Sequence, residues 1–194
     1  MKNTDFLQLF KSKSTVLTLK EISLIWQDAN INNTKSRINY FVKSGKLFSP
    51  RKGIYVKDND YDRFEFATKL YSPSYISLET VLQKEGVIFQ YYESIFVISY
   101  LSREISCNKE EYTYKKIKNQ VLLNSVGIEN KENYFIATKE RAFLDAIYLY
   151  RNYYFDNLNK INWELCYQIA SIYKNKRLIK NLETYRKHAE HRDS

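Results

Sequence analysis

The stretch from Thr15 to Val56 constrains the fold more than any other part of this 194-residue chain. Thr18 and Glu21 stand three residues apart, so each side chain is able to accept a hydrogen bond from the backbone N–H of the other at the start of a helix. Apolar residues then recur at helical spacing, at Leu19, Ile22, Ile25 and Trp26. This pattern predicts a capped helix with one buried face.

A polar turn and a second helix follow the first one. The run from Asp28 to Asn33 is typical of a turn, and Asn32 or Asn33 is placed to cap the next helix. That helix is expected to end at Gly45, because glycine readily adopts the left-handed conformation that terminates helices. On a helical wheel, the side expected to face the core holds Thr34, Ile38, Phe41 and Val42. The opposite side holds Asn33, Ser36, Arg37, Tyr40, Lys43 and Ser44.

A short basic hairpin is predicted after the second helix. Leu47, Ile54 and Val56 have the character of strand residues, and Pro50 to Gly53 form a turn that carries two cations. Two helices joined by a polar turn and followed by a basic hairpin are the pattern of a winged helix-turn-helix. Double-stranded DNA is therefore the first partner that the sequence predicts.

The residue types assign a role to each part of this predicted module. Base edges are read by hydrogen bonds and methyl contacts in the major groove, whereas cations contact phosphates. We expect Ser36, Arg37 and Tyr40 to face bases, with Asn33 on the same side of the helix. The expected phosphate contacts are Lys35, Lys43, Arg51 and Lys52. The alternative is a winged helix that serves as a protein-interaction module.

The distribution of charge favours DNA binding by the N-terminal part. The chain has a formal net charge of +9. Residues 1–60 contain 11 Lys and Arg against 5 Asp and Glu, so most of the excess lies in less than a third of the chain. A basic module of this kind is typical of proteins that bind polyanions.

The remainder of the chain predicts a second domain. Lys57 to Asp62 is a polar linker, and we expect a DNA-binding domain at residues 1–60 and a second domain at 61–194. The predicted helices start at Asp62, after Ser77, after Thr138, after Asn162 and at Lys176. The predicted strands are Val87–Phe89, Ser94–Ile105, Glu111–Leu123 and Tyr134–Ala137. The expected fold class is α+β: a winged helix-turn-helix, then a small antiparallel sheet with packed helices and a helical C-terminus.

The residues of classical enzyme sites are missing from the sequence. His188 and His191 are the only histidines and neither is near a nucleophile, and the four glycines form no phosphate-binding loop. Cys107 and Cys166 lack metal-ligand spacing and are far apart. We therefore expect no catalytic activity, cofactor, metal or disulfide.

One enzyme alternative deserves a test, namely a metal-dependent nuclease. Glu110 or Glu111, followed by Glu129 and Lys131, resembles the carboxylates and lysine that hold Mg²⁺ and orient a water. The favoured interpretation places Glu129 to Lys131 in a polar loop, as solvated charges.

The sequence also predicts where the protein resides. Met1 to Phe10 lack the apolar run of a signal peptide, and no segment reaches membrane-spanning length. We expect a cytoplasmic protein without a membrane partner.

Three segments, in order, resemble the AbiEi family, the antitoxins of abortive-infection toxin–antitoxin systems. Arg51 to Tyr55 is similar to the family's ending of basic residue, Gly, apolar residue and Tyr. Ser74 to Leu82, followed by Gly86 to Ile88, resembles "YiSleSAL…hGLi", with Thr80-Val81 in place of Ser-Ala. Ile136 to Asp145 resembles "iAtpEKAllD", with Lys139 in place of Pro and Arg141 in place of Lys.

The resemblance implies a repressor of its own operon. Its second domain would contribute antitoxicity against a nucleotidyltransferase-like toxin encoded next to it. Within the motifs we expect structural roles: Ser77 and Thr138 as helix caps, Glu140 as a partner of the helix dipole, and Leu78, Val81, Ala142 and Leu144 in the core.

A stand-alone regulator is the alternative from a different class. Its second domain would sense a ligand or dimerise, and no toxin gene would lie beside it. The sequence leaves open whether the protein assembles as an oligomer on DNA and whether it contacts the toxin directly.

Overall fold

The computed structural model describes residues 3–192, and the side chains of residues 6–190. The chain is mixed α+β, as the sequence predicts. It divides into two compact units, of which the first ends at Leu70 and the second begins at Tyr71. The sequence places the domain boundary before the helix Arg63–Leu70, whereas in the structure this helix belongs to the first unit and the boundary follows it.

Unit 1 combines four helices with a small antiparallel sheet. Its helices are α1 (Asn3–Lys11), α2 (Leu19–Ile25), α3 (Ile31–Lys43) and α4 (Arg63–Leu70). Its strands are β1 (Val16–Thr18), β2 (Phe48–Arg51) and β3 (Ile54–Val56), in the order β1-β3-β2. Strand β1 was not predicted, and it pairs with β3 in the register Val16 with Val56.

The core of unit 1 forms where the predicted helical faces meet. Its buried members are Leu9, Leu17, Ile22, Trp26, Ile38, Phe41 and Leu47. The predicted capping box at the start of α2 is confirmed. The Glu21 N–H donates to Thr18 Oγ1 at 3.2 Å, and the Thr18 N–H donates to Glu21 Oε2 at 2.7 Å. Both bonds satisfy backbone donors that a helix start leaves without partners.

Helix α4 belongs to unit 1 because two of its charged side chains bond to β1 and its neighbours. The buried Glu65 accepts hydrogen bonds from the Thr15 N–H at 2.9 Å and the Thr15 hydroxyl at 2.7 Å. Lys69 donates to the Val16 carbonyl at 2.6 Å and lies 2.8 Å from Glu21 Oε1. A buried carboxylate is stable only with such partners, so α4 is held against β1.

Unit 2 contains a six-stranded sheet, five α-helices and two short 3₁₀ helices, Leu158–Lys160 and Ser171–Tyr173, within the described residues. The strands are β4 (Ser74–Ile76), β5 (Ile95–Ser99), β6 (Arg103–Cys107), β7 (Glu110–Lys116), β8 (Ile128–Lys131) and β9 (Tyr134–Ala137). The helices are α5 (Glu79–Lys84), α6 (Asn119–Leu122), α7 (Lys139–Leu149), α8 (Trp163–Ala170) and α9 (Lys176–Arg192).

The sheet of unit 2 is mixed, so the prediction of a small antiparallel sheet was wrong. The strand order is β6-β7-β5-β4-β9-β8. The pairs β5–β7 and β4–β9 are parallel, and the other three are antiparallel. Strand β9 lies beside β4 although 57 residues separate Ile76 from Tyr134 in the sequence. Pairing over such a separation is decided by tertiary packing and leaves no local signal in the sequence.

Several predicted segments of unit 2 differ from the structure. Val87 to Phe89 is not a strand, because the Val87 carbonyl accepts hydrogen bonds from Asp156 and Asn157 instead of a neighbouring strand. Ser94 to Ile105 is divided between β5 and β6. The end of the predicted strand Glu111–Leu123 is helix α6, and the predicted loop at Glu129 to Lys131 lies in β8.

The helix caps in unit 2 are partly as predicted. Thr138 Oγ1 accepts from the Arg141 N–H, and Asn162 Oδ1 accepts from the Leu165 N–H, so both predicted caps are confirmed. The prediction for Ser77 was wrong. Leu78 occupies the cap position of α5 with φ of 55°, and the Ser77 hydroxyl donates instead to Asp145 Oδ2 at 2.8 Å.

Asp145 and Arg141 form a fully buried cluster, which we call the Arg141–Asp145 cluster. Besides Ser77, the hydroxyls of Tyr75 and Tyr173 donate to the Asp145 carboxylate at 3.0 and 2.6 Å. The Arg141 guanidinium lies 3.4 Å from that carboxylate. It also donates to the Tyr75 hydroxyl and to the carbonyls of Val121 and Val126, at 2.8, 2.8 and 2.7 Å.

The two charges of this cluster depend on each other. Burial disfavours the charge on Arg141, but Asp145 and the tyrosine hydroxyls hold the pKa of Arg141 above its ordinary value. Burial raises the pKa of Asp145, against the opposing effect of Arg141 and the three hydroxyls. Removing one member would therefore leave the other charge buried without its counter-ion.

We expect Asp145→Asn to lower the free energy of unfolding of unit 2 by about 3–5 kcal/mol, because the guanidinium remains buried without a carboxylate. The measurement is urea unfolding followed by the fluorescence of Trp163, which packs against Phe143. A Trp26→Phe background makes Trp163 the single tryptophan, since the chain contains two.

The matched control is Glu190→Gln. Glu190 pairs with Arg186 at the same four-residue spacing, but these side chains are 62% and 46% exposed. We expect a change below about 0.5 kcal/mol there. Equal unfolding midpoints for the two variants would contradict a stabilising role for the Arg141–Asp145 cluster.

Candidate nucleic-acid interface

Helix α3 has one buried and one exposed side, as the wheel predicts. Thr34, Ile38 and Phe41 are buried against the core, and Val42 is half-buried. The exposed side chains are Asn33, Lys35, Ser36, Tyr40 and Lys43. The helix therefore presents hydroxyl, amide, phenol and ammonium groups to solvent along its length.

The ends of α3 are determined by short polar residues and a glycine. Asn30 caps the helix by accepting from the Asn32 N–H at 2.9 Å, so the prediction of a cap at Asn32 or Asn33 was wrong. The difference arises because the helix starts at Ile31, earlier than its apolar periodicity shows. Gly45, with φ of 70°, follows the last turn as predicted.

Arg37 has intramolecular partners in the structure. Its guanidinium lies 2.7 Å from Asp28 Oδ1 and 4.2 Å from the centre of the Trp26 ring. The Thr34 hydroxyl donates to the other Asp28 oxygen at 2.7 Å. Asp28 therefore joins α3 to the turn that precedes it, and Arg37 is half-buried in this junction. A contact of Arg37 with bases stays a prediction, and its replacement would disturb the turn as well.

The sequence pattern predicts only a polar turn at Asp28, whereas the structure gives this residue a specific role. An acidic residue two positions after a tryptophan is able to hold an arginine of the following helix. The signal available in the sequence was the spacing of Asp28, Thr34 and Arg37, because the last two lie nearly one turn apart on the helix.

The basic hairpin is shorter at its tip than predicted. Pro50 and Arg51 belong to β2, and Lys52 and Gly53 alone form the turn to β3. Gly53 has φ of 84°, a conformation that glycine accepts without strain. The Ser49 hydroxyl donates to the Ile54 carbonyl at 3.2 Å across the hairpin. Lys52 is exposed and Arg51 is half-buried at this tip.

The region from α3 to β3 carries cations only. Residues 29–57 contain seven Lys and Arg and no Asp or Glu. Three of these cations have partners in unit 1: Arg37 pairs with Asp28, Lys46 lies over the Phe6 ring, and Lys57 donates to the Ser12 carbonyl. Lys35, Lys43, Arg51 and Lys52 form no ion pair with a side chain of residues 6–190. Their charged groups are therefore available to an anionic partner, three of them on exposed side chains.

The residues of the alternative nuclease site lie far apart. Glu110 and Glu111 are in β7 and Glu129 and Lys131 are in β8, with three strands between them. Neighbouring strands are about 4.8 Å apart, which places β7 and β8 roughly 19 Å from each other. Glu129 lies on an edge strand and not in a loop, and it pairs with Lys131 at 2.7 Å. The structure does not bring the residues of this motif together.

The described part of the chain offers no metal centre. No group of three or more His, Cys, Asp and Glu side chains suited to a metal ion occurs within it. Cys107 and Cys166 are both free thiols. Cys166 is buried, and burial together with the nearby Glu140 raises the pKa of its thiol. The side chain of His191 lies outside the described residues.

Comparisons with known proteins give no assignment. No protein-family model matches the chain, and curated proteins show no significant match to it. None of the described helices is long and apolar enough to cross a membrane.

The cap of α2 predicts a dependence of stability on pH, because it positions the first helix of this region. Burial raises the pKa of Glu21, but hydrogen bonds from Lys69 and Thr18 outweigh it and hold the pKa below the ordinary 4.5. Glu21 therefore stabilises unit 1 fully above about pH 4.5, and this contribution is lost as the pH falls through the lowered pKa. We expect Glu21→Gln to lose less stability than the wild type between about pH 6 and pH 3.

The measurement is urea unfolding followed by Trp26 fluorescence in a Trp163→Phe background. Asp60→Asn is the control, because Asp60 is exposed and should leave the wild-type pH dependence unchanged. Identical pH dependence for Glu21→Gln and the wild type would contradict the role given to this carboxylate.

Proposed function

We propose that unit 1 is a winged helix-turn-helix that binds double-stranded DNA, with α3 as the recognition helix and the β2–β3 hairpin as the wing. The observation that carries the proposal is the acid-free stretch of residues 29–57. It combines an exposed polar helix face with cations at a hairpin tip. Cations that meet phosphates and polar side chains that meet base edges are the two kinds of contact that sequence-selective DNA binding needs.

The order of elements supports the same proposal. A capped helix, a short turn, a second helix and a two-stranded hairpin follow each other without interruption in α2, α3, β2 and β3. Strand β1 adds a third strand beside β3, and α1 packs behind the two helices through Leu9. A helix of 13 residues is about 20 Å long, enough to lie along a major groove.

The proposed roles of the exposed residues follow from their positions. Ser36 and Tyr40, with Asn33 one turn earlier, would face the bases. Lys35, Lys43 and the hairpin-tip residues Arg51 and Lys52 would contact phosphates. Arg37 would reach a base only by giving up part of its bonding to Asp28 and Trp26, so we assign it first to holding the turn.

We further propose that the protein is the antitoxin of a toxin–antitoxin operon and represses its own promoter. The three segments that resemble AbiEi antitoxins support this, since they occur in the family's order and include the hairpin. Unit 2 would counteract a nucleotidyltransferase-like toxin encoded beside it. The second and third motifs contain Tyr75, Ser77, Arg141 and Asp145, which meet in the buried cluster. These motifs would therefore define the fold of the antitoxin domain and not a surface that touches the toxin.

The DNA proposal predicts two separable effects in fluorescence anisotropy with DNA from upstream of the gene and a scrambled duplex, across a salt series. Arg51→Ala with Lys52→Ala should lower the affinity for both duplexes alike. It should also reduce the slope of log affinity against log salt by about 1.8, or about 0.9 per phosphate contact. Ser36→Ala should weaken binding of the upstream duplex alone, by about 0.5–1.5 kcal/mol, because it removes one neutral hydrogen bond.

The matched control for charge is Lys109→Ala with Lys118→Ala, which removes two exposed cations from unit 2. It should leave both affinities and the slope unchanged. Unchanged binding by both unit 1 variants would exclude this DNA interface, as would equal weak binding of the two duplexes by the wild type.

The antitoxin proposal predicts that co-expression of the full chain restores growth to cells that express the neighbouring toxin from an independent promoter. The Arg51→Ala and Lys52→Ala variant should restore growth as well, because antitoxicity is assigned to unit 2 and repression to unit 1. Absence of a nucleotidyltransferase gene beside this one, or continued growth arrest, would favour a stand-alone regulator.

A further inference from the structure

A cleft in unit 2 has the composition of a binding site for an unpaired base. It has a volume of about 400 Å³ and opens between the segment that follows α7 and one face of α9. A neighbouring cavity of about 280 Å³ shares Tyr153, Tyr154, Tyr185 and His188 with it. A space of this size accommodates a nucleotide or a small aromatic molecule.

The back wall of the cleft is rigid. The Tyr185 hydroxyl donates to the Tyr153 carbonyl at 2.6 Å and accepts from the Tyr153 N–H at 3.3 Å. The ring of Phe155 lies 4.8 Å from that of Tyr153 and 5.2 Å from that of Tyr185. Tyr150 stacks on Tyr153, with ring centres 5.2 Å apart. Such packing fixes the wall before any ligand arrives.

Tyr154 supplies an accessible aromatic ring at the mouth of the cleft. Tyr154 is 68% exposed, although the hydrophobic effect favours burial of so large an aromatic ring. Both hydrogen-bond donors and hydrogen-bond acceptors lie next to this ring. Asn181, Thr184 and His188 share one face of α9, since they are spaced by three and four residues, and Asn152 stands opposite them. These groups are able to donate to and accept from the edge of a base.

The surroundings of the cleft are positively charged. Residues 174–190 contain six Lys and Arg and two Glu. Two of the cations have partners, since Arg177 donates to the Tyr148 carbonyl and Arg186 pairs with Glu190. Arg151 adds an exposed cation on the opposite side of the cleft, beside Tyr154. A ligand with negative charge spaced along its length complements this surface.

We propose that this cleft binds single-stranded nucleic acid, with an unpaired base stacked on Tyr154 and the flanking phosphates near Arg151 and the lysines of α9. Accessible aromatic rings bordered by cations are the shared chemistry of single-strand binding proteins. A duplex does not fit this surface, because its bases are already stacked on each other and expose only their edges. The site is separate from the duplex interface proposed for unit 1 and does not depend on it.

The test is fluorescence anisotropy of the full-length protein with labelled oligo(U) and oligo(dT) of about 12 nucleotides. The wild type should bind at low salt, and Tyr154→Ala should weaken binding about 5- to 100-fold, the loss of one base–aromatic stack. Tyr154→Phe keeps the ring and should keep the affinity. Arg151→Ala should reduce the salt slope by about 0.7, the value for one contact to a single strand.

Two controls locate the binding site. Tyr91→Ala removes a ring that is 73% exposed and lies outside the cleft lining, so it should bind as the wild type does. Arg51→Ala with Lys52→Ala should leave single-strand binding intact while it weakens duplex binding. A difference between the two oligonucleotides would tell whether RNA or DNA is preferred.

Four results would overturn the proposal. The first is that the wild type binds neither oligonucleotide, and the second is that Tyr154→Ala binds as tightly as Tyr154→Phe. The third is that Tyr91→Ala weakens binding as much as Tyr154→Ala does. The fourth is that the variant with Arg51→Ala and Lys52→Ala loses single-strand binding. The last result would assign all nucleic-acid binding to unit 1. It would leave the duplex proposal standing, so the two proposals fail separately.

Discussion

Asp145 accepts hydrogen bonds from three hydroxyls and lies beside a buried guanidinium, and the arrangement of unit 2 depends on these bonds. Its partners come from β4 and the residue that follows it, from α7, and from the 3₁₀ helix Ser171–Tyr173. Removing a carboxylate from water is costly, so the folded state is stable only when all these partners arrive together. Arg141 extends the same requirement to the carbonyl of Val121 in α6 and to that of Val126, which lies just beyond this helix. One charged pair thereby positions a strand, two α-helices and a 3₁₀ helix that are distant in sequence.

Two carboxylates have the same effect in unit 1, the buried Glu65 and the half-buried Asp28. Glu65 connects α4 to the chain before β1, and Asp28 connects α3 to the turn after α2. Each of these carboxylates accepts hydrogen bonds from residues that local structure alone would not bring together. For the proposed interface, the bonds of Asp28 matter most, because they limit how α3 can rotate relative to α2. A recognition helix must keep its polar face in one orientation to distinguish base edges.

The two surfaces proposed to bind nucleic acid differ in chemistry. The face of α3 is built from small polar side chains and lysines around a single tyrosine, which suits the edges of paired bases. The cleft beside α9 is built on packed tyrosines with one exposed ring, which suits the face of an unpaired base. In an antitoxin that represses its own operon, a second surface for single strands would give unit 2 a ligand of its own, independent of the promoter.

Local patterns in the sequence determined the elements whose signals are short in range. The capping box at Thr18, the buried face of α3, the caps at Thr138 and Asn162 and the glycine that follows α3 depend on residues within a few positions of each other, and all are found as predicted. Tertiary structure decided the rest. The mixed sheet pairs β4 with β9 across a long separation, the short polar run at Glu129 becomes an edge strand because β9 needs a partner, and Ser77 bonds to Asp145 instead of capping α5. The same holds for Arg37, which a wheel assigns to the exposed face and which Asp28 and Trp26 draw into the turn. The physical reason is that a polar side chain bonds to whichever partner folding brings within reach, and periodicity carries no record of partners that are distant in the chain.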